Sequence, residues 1–181
     1  MDILGLGLGP IIVIIIRLIV PFTLFRWPLF GGIACVVADT LDVVLATVIG
    51  QGDFTNANYS FIDKALDTYF LFFMVLVSLK WEPLAKWTSV SLFTYRFIGV
   101  ILFEYTGVRA LLFIFPNLFV FFYLFYATRN RFFPAFELTK KRLALILLVL
   151  LIPKLIQEYL LHIVQVHPWE WLNANVFKIG L

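Results

Sequence analysis

Residues 140–163 read KKRLALILLVLLIPKLIQEYLLHI. A helix rises ~1.5 Å per residue, so ~20 mostly apolar residues are needed to cross a hydrocarbon layer ~30 Å thick. The run 143–163 has that length, follows three consecutive basic residues, and is apolar around its whole circumference except at Lys154, Gln157, Glu158 and His162. A helix apolar on all sides is buried in a large core or in lipid. The rest of the chain decides between the two. Of 181 residues, 62% are hydrophobic, 18% aromatic and only 14% charged, against ~45–50% apolar and ~25% charged in soluble domains. A chain this short has too little polar surface to cover that much apolar residue in water. The sequence therefore predicts an all-α, polytopic integral membrane bundle.

Five further runs of similar character precede the first. The predicted spans are 8–25, 29–49, 62–80, 84–103, 110–127 and 143–163, about six transmembrane helices in a single domain covering 1–181. Little chain is left for a soluble domain. The tail carries Pro168-Trp169-Glu170-Trp171, whose tryptophans suit a short segment lying at the interface. The spacing is so tight around Gly107 that the fourth and fifth spans are expected to be antiparallel neighbours. No basic leader with a small-residue cleavage site precedes the first run, so no cleaved signal is expected. The Met1-Asp2 start and the Lys178-Ile179-Gly180-Leu181 end match no lipidation signal.

Charge outside the spans is distributed unevenly. Arg26, Lys80, Lys86, Arg129, Arg131, Lys140, Lys141 and Arg142 fall in the odd-numbered loops, whereas Lys64, Arg109 and Lys178 fall on the other side. The positive-inside rule places the odd loops in the cytoplasm and the N-terminus outside, in a plasma or inner membrane. The net charge is only +3 and no basic face is available to water, so nucleic acid is not an expected partner. Membrane lipids are, and other membrane subunits remain open. Cys35 is the only cysteine, which excludes an intrachain disulfide.

The charges within the spans carry the functional reading. An ionisable group at bilayer depth costs ~2.5–3.5 kcal/mol on insertion scales and usually pairs or lines a cavity. Arg17 lies mid-span in the first helix and Arg96 in the fourth. Asp39 and Asp42 are three apart in the second, Asp63 and Asp67 four apart in the third, and Lys154 and Glu158 four apart in the sixth; each pair shares a helical face. Glu104 closes the fourth span and Arg109 opens the fifth. With the predicted orientation most of these groups fall in the outer half of the bilayer, with acids and bases close to balance. Two readings follow. The charges are internal ion pairs that fix which helix lies beside which, or they line a pocket for a small polar molecule, an ion or a lipid headgroup. Four carboxylates at the junction of the second and third spans would repel unless bases or a cation sit among them. Asp39, Asp42, Asp63 and Asp67 are thus the candidate ligands for a divalent cation.

Asp-x-x-Asp near one helix end, followed by Asp-x-x-x-Asp opening the next, resembles the CDP-alcohol phosphatidyltransferases. The matching residues are Asp39, Asp42, Asp63 and Asp67, with Ala46 at the alanine of that family's Ala-Arg pair. The resemblance covers the first three spans. It implies a divalent metal held by those aspartates and a lipid-modifying transferase activity. The sequence departs from the pattern at Val43, where the family has glycine, and at Thr47, where it has arginine. The interval between the aspartate pairs is also longer, and the glycine before the second pair is missing.

Other features carry less. Glu158 and His162 are four apart, a spacing open to metal, but no second histidine lies nearby and a hydrogen-bonded pair is the simpler reading. Gly5-Leu6-Gly7-Leu8-Gly9-Pro10 lacks the strand-to-helix setting of a phosphate loop. Pro21, Pro116 and Pro153 lie in or near span interiors, where proline kinks a helix and frees carbonyls. The 21 phenylalanines read as lipid-facing bulk. With two histidines, one of them in the tail, nothing indicates haem, and nothing indicates flavin or nucleotide. Three functions therefore stand as expectations: binding or transport through an outer-half polar pocket, a metal-dependent lipid-modifying enzyme, and an accessory subunit whose charges organise only its own bundle.

Overall fold

A computed structural model describes residues 8–41 and 57–164. Asp42, the 42–49 part of the second predicted span, the Gly5–Pro10 stretch up to residue 7, and the tryptophan-bearing tail lie outside the described residues. The described chain is helical throughout. Seven α-helices follow one another: α1 (Leu8–Ile19), α2 (Pro28–Thr40), α3 (Ala57–Ser78), α4 (Pro83–Thr106), α5 (Ala110–Ile114), α6 (Leu118–Phe132) and α7 (Lys140–His162), with a 3-10 segment at Val20–Phe25.

Local sequence explains the boundaries. Pro28 and Pro83 each stand in the first turn of a helix, where the missing N–H costs nothing. Gly107 ends α4 with φ +70°, a conformation that glycine adopts without a Cβ clash. Thr139 caps α7, its hydroxyl accepting the Arg142 N–H at 3.3 Å, as an N-cap threonine does. Pro21 converts the end of the first run into 3-10 geometry. At that junction the Leu18 carbonyl accepts the Tyr69 hydroxyl at 3.2 Å.

The fifth predicted span, 110–127, is not one helix. It breaks at Phe115-Pro116-Asn117 into α5 and α6, and α6 continues to Phe132, so that Arg129 and Arg131 belong to its last turn. The cause is Pro116, which lacks an N–H and disfavours the helical conformation at the residue before it. Among the described residues, Ala110–Phe132 taken together and Lys140–Leu160 are the two segments long and apolar enough to cross a membrane. Gly9–Phe25 and Pro28–Thr40 are shorter apolar helices.

The helices pack around aromatic and aliphatic side chains from α2, α3 and α6. Cys35, Phe70, Met74, Phe119 and Tyr123 form one buried cluster; Ala85, Phe122, Tyr126, Leu138 and Leu143 form another against α7. Trp81 joins them, its ring centroid 5.0 Å from that of Tyr123 and 4.3 Å from that of Tyr126. α4 lies along α3, α5 and α6, and α7 along α5 and α6. Gly99 lets α4 approach the break before Pro116: a Cβ there would lie 2.2 Å from the Cβ of Phe115. Two features depart from a water-soluble bundle. Arg17, Lys154 and Glu158 are buried, while Leu145, Leu148, Val149, Ile152 and Ile156 of α7 are each more than half exposed.

A guanidinium shared by three carboxylates

α1, α2 and α3 bring their charged residues to one point. Arg17, two turns into α1 and 3% exposed in its side chain, meets Asp39 at 2.5 Å, Asp67 at 2.5 Å and Asp63 at 2.6 Å. Nη1 donates to Asp63; Nη2 donates to Asp39 and Asp67. Asp63 and Asp67 reach the same guanidinium because they stand one turn apart on α3. Ion pairs between an ionised donor and acceptor at such lengths are the strong class of hydrogen bond, and the planar guanidinium offers the several donors that three acceptors need. The three carboxylates are less enclosed than the arginine, keeping 33%, 35% and 31% of their side-chain surface. On the inner side of Arg17, bounded by Cys35, Ala38 and Phe70, the free space is about 10 Å³, room for about one water.

The other sequence candidates fall into separate places. Glu104 approaches Lys64 at 3.9 Å beside this cluster, and the Lys64 ammonium lies 4.9 Å over the Phe103 ring. Arg96 donates from Nη1 to the Phe115 carbonyl at 2.9 Å and the Leu112 carbonyl at 3.3 Å; it covers backbone acceptors that the break at Pro116 sets free. Lys154 and Glu158 pair at 3.0 Å, Glu158 being 2% exposed. Glu158 also accepts the Asn117 N–H at 3.1 Å, and Lys154 donates to Gln157 at 3.1 Å. Arg109 is exposed at the start of α5, away from the Arg17 group. Asp42 lies outside the described residues.

Sequence reasoning missed two features here. Arg96 read as a pocket residue because the carbonyls it covers appear only once the helix breaks. The Asn117 N–H, aimed at Glu158, had a signal in Pro116-Asn117, but its partner lies 41 residues away.

One carboxylate oxygen from each of Asp39, Asp63 and Asp67 lies within 4.8 Å of the others, the raw material of a cation site. The Arg17 guanidinium engages Oδ1 of each of these carboxylates. No family model matches the chain, and neither a curated protein nor a solved structure matches it.

Proposed function

We propose that this chain is a polytopic membrane protein of about six spans, oriented with its N-terminus outside, whose Arg17 cluster lies in the outer half of the bilayer and binds a proton or small monovalent cation as the binding step of ion transport. The membrane reading is supported by the buried charges Arg17, Lys154 and Glu158 and by the exposed aliphatic side chains of α7. Exposed apolar patches larger than a few hundred Å² are rare on soluble monomers, and Leu145, Leu148, Val149, Ile152 and Ile156 of α7 are each more than half exposed. Buried Arg17, Lys154 and Glu158 inside such a shell follow the rule that intramembrane charges face the bundle interior and pair there.

The observation that carries the ion reading is the set of three carboxylates on one buried guanidinium. Fully ionised, three acids and Arg17 sum to two negative charges. Like charges this close raise the affinity of the site for protons and cations. Each carboxylate keeps about a third of its side-chain surface exposed, and the space beside the guanidinium is water-sized. Both favour an ion over an organic ligand, which needs a larger enclosure.

The test is thermal unfolding of the detergent-purified chain with sodium, potassium, lithium, magnesium, manganese or calcium, in wild type and in Asp39→Asn. A ligand at ~100 times its dissociation constant adds ~2.7 kcal/mol. A rise in Tm with a monovalent cation that vanishes in Asp39→Asn is the expected result. A rise confined to divalent cations would instead favour a metal-dependent lipid-modifying enzyme. No rise with any cation, together with a large loss in the variant, would leave the cluster as an internal tie of an accessory subunit.

A further inference from the structure

At the other end of α2 and α3 the chain forms a cleft of about 220 Å³, bounded by the turn after the 3-10 segment, the first turn of α2, Trp81 and the last turn of α6. Its polar lining consists of Arg26, Arg131 and Asn130, and no carboxylate contributes to it. Among the described residues neither Arg26 nor Arg131 has an acidic partner within 4.0 Å. Arg129, on the same turn as Arg131, is by contrast engaged. It lies 3.8 Å from Glu82, and it donates to the Phe136 carbonyl at 2.6 Å and to Asn130 Oδ1 at 2.8 Å. The last bond takes the carbonyl end of the Asn130 amide, which leaves its NH2 as a donor in the cleft. The backbone adds to this set: α2 starts on Pro28 with no side-chain cap, so the N–H groups of Leu29 and Phe30 have no intrahelical acceptor.

The walls are fixed. The Tyr123 hydroxyl donates to the Pro28 carbonyl at 3.3 Å, and Trp81 is packed against Tyr123 and Tyr126. Trp27 and Phe30, by contrast, are 57% and 56% exposed at the mouth. The cleft is therefore lined by two arginines and an asparagine with no carboxylate, and carries apolar rings at its rim. Arginines in such pairs suit the planar, multi-oxygen geometry of phosphate. The volume is below the ~300–1,000 Å³ that enclose drug-sized ligands. Basic pockets between helices at the cytoplasmic face hold anionic headgroups.

We propose that this cleft binds a phosphate group between Arg26 and Arg131, with Asn130 as a further donor. A phosphatidic-acid-type headgroup and a soluble phosphate monoester share this chemistry. The site is independent of the Arg17 cluster; only its lipid form rests on the membrane reading.

The full chain in neutral detergent, titrated with phosphatidic acid and separately with glycerol 1-phosphate, tests this by native mass spectrometry and by Tm. Wild type is expected to bind one of the two. Arg26→Gln with Arg131→Gln should weaken that binding by about tenfold or more. Lys140→Gln with Lys141→Gln, which removes the same charge from the same side outside the cleft, should leave binding within about twofold. Binding of phosphatidic acid alone assigns a lipid headgroup; stabilisation by glycerol 1-phosphate without lipid assigns a soluble ligand. Should the arginine double variant fail to fold, Asn130→Asp places an acid in the same cleft at an exposed position and should cause the same loss. Absence of binding by both probes, or equal loss in the lysine pair, overturns the proposal. A chain that stays soluble without detergent refutes the membrane reading but leaves the glycerol 1-phosphate arm intact.

Discussion

Arg17 and Glu158 are both buried charges, yet they are held differently. Among the described residues, Arg17 pairs with three acids on two other helices, whereas Glu158 pairs with Lys154 on its own helix and accepts a backbone N–H from α6's entry. Removing one member of a buried pair strands the other, at about 3–5 kcal/mol. Arg17→Met should reach or exceed that range, because it leaves three carboxylates facing one another; thermal unfolding in detergent reads it. Lys154 and Glu158 lend themselves to a double-mutant cycle. Glu158→Leu alone should cost about 3–5 kcal/mol. Lys154→Met with Glu158→Leu should cost much less than the two single changes added, since an apolar pair of similar volume removes the desolvation penalty as well as the attraction. Additivity in the cycle would mean that the 3.0 Å contact contributes no coupling.

At the scale of elements, prolines decide where the long apolar runs bend and polar side chains repair the consequence. Pro116 divides one apolar run into α5 and α6, Arg96 covers the carbonyls of Leu112 and Phe115, and Gly99 leaves space for Phe115 beside it. Gly99→Ala should therefore destabilise by about 1–3 kcal/mol through overpacking, although alanine is the better helix former by ~1 kcal/mol. An unchanged or raised Tm in Gly99→Ala would show that α4 and the break separate without cost. The 3-10 segment at Pro21 plays the corresponding part in the first run, its junction tied to α3 by Tyr69.

For the whole molecule, orientation is the proposal most open to direct measurement. Cys35 is buried, so in a Cys35→Ser background single cysteines report their own sites. Tyr105→Cys, at a position 91% exposed in the last turn of α4, should react with an impermeant maleimide from outside the cell. Pro134→Cys, in the α6–α7 connection, should react only after permeabilisation. Labelling of both from one side would contradict an α6 crossing between them and with it the proposed span count.

The legible part of this protein is the part written in short-range pattern. Runs such as 143–163 state their helicity through length and composition, Pro28, Pro83 and Gly107 state helix ends, and each buried charge is visible as a lone ionisable residue in an apolar run. Asp39, Asp63, Asp67 and Arg17 could be named as candidates on that ground alone. Their meeting could not. Asp39 lies 22 residues from Arg17, Asp63 46 and Asp67 50, and nothing in a local pattern fixes which faces of three helices turn together. The same limit left unread the backbone partners of Arg96 and the contact of Glu104 with Lys64, and hid the cleft at Arg26 and Arg131 behind their reading as orienting charges. The sequence by itself determined that this is an all-helical chain with charges set into apolar runs, because hydrophobic periodicity and chain-breaking residues act within a few turns. Only the tertiary structure decided which charges are partners, because an ion pair depends on distances of about 3 Å that packing alone creates.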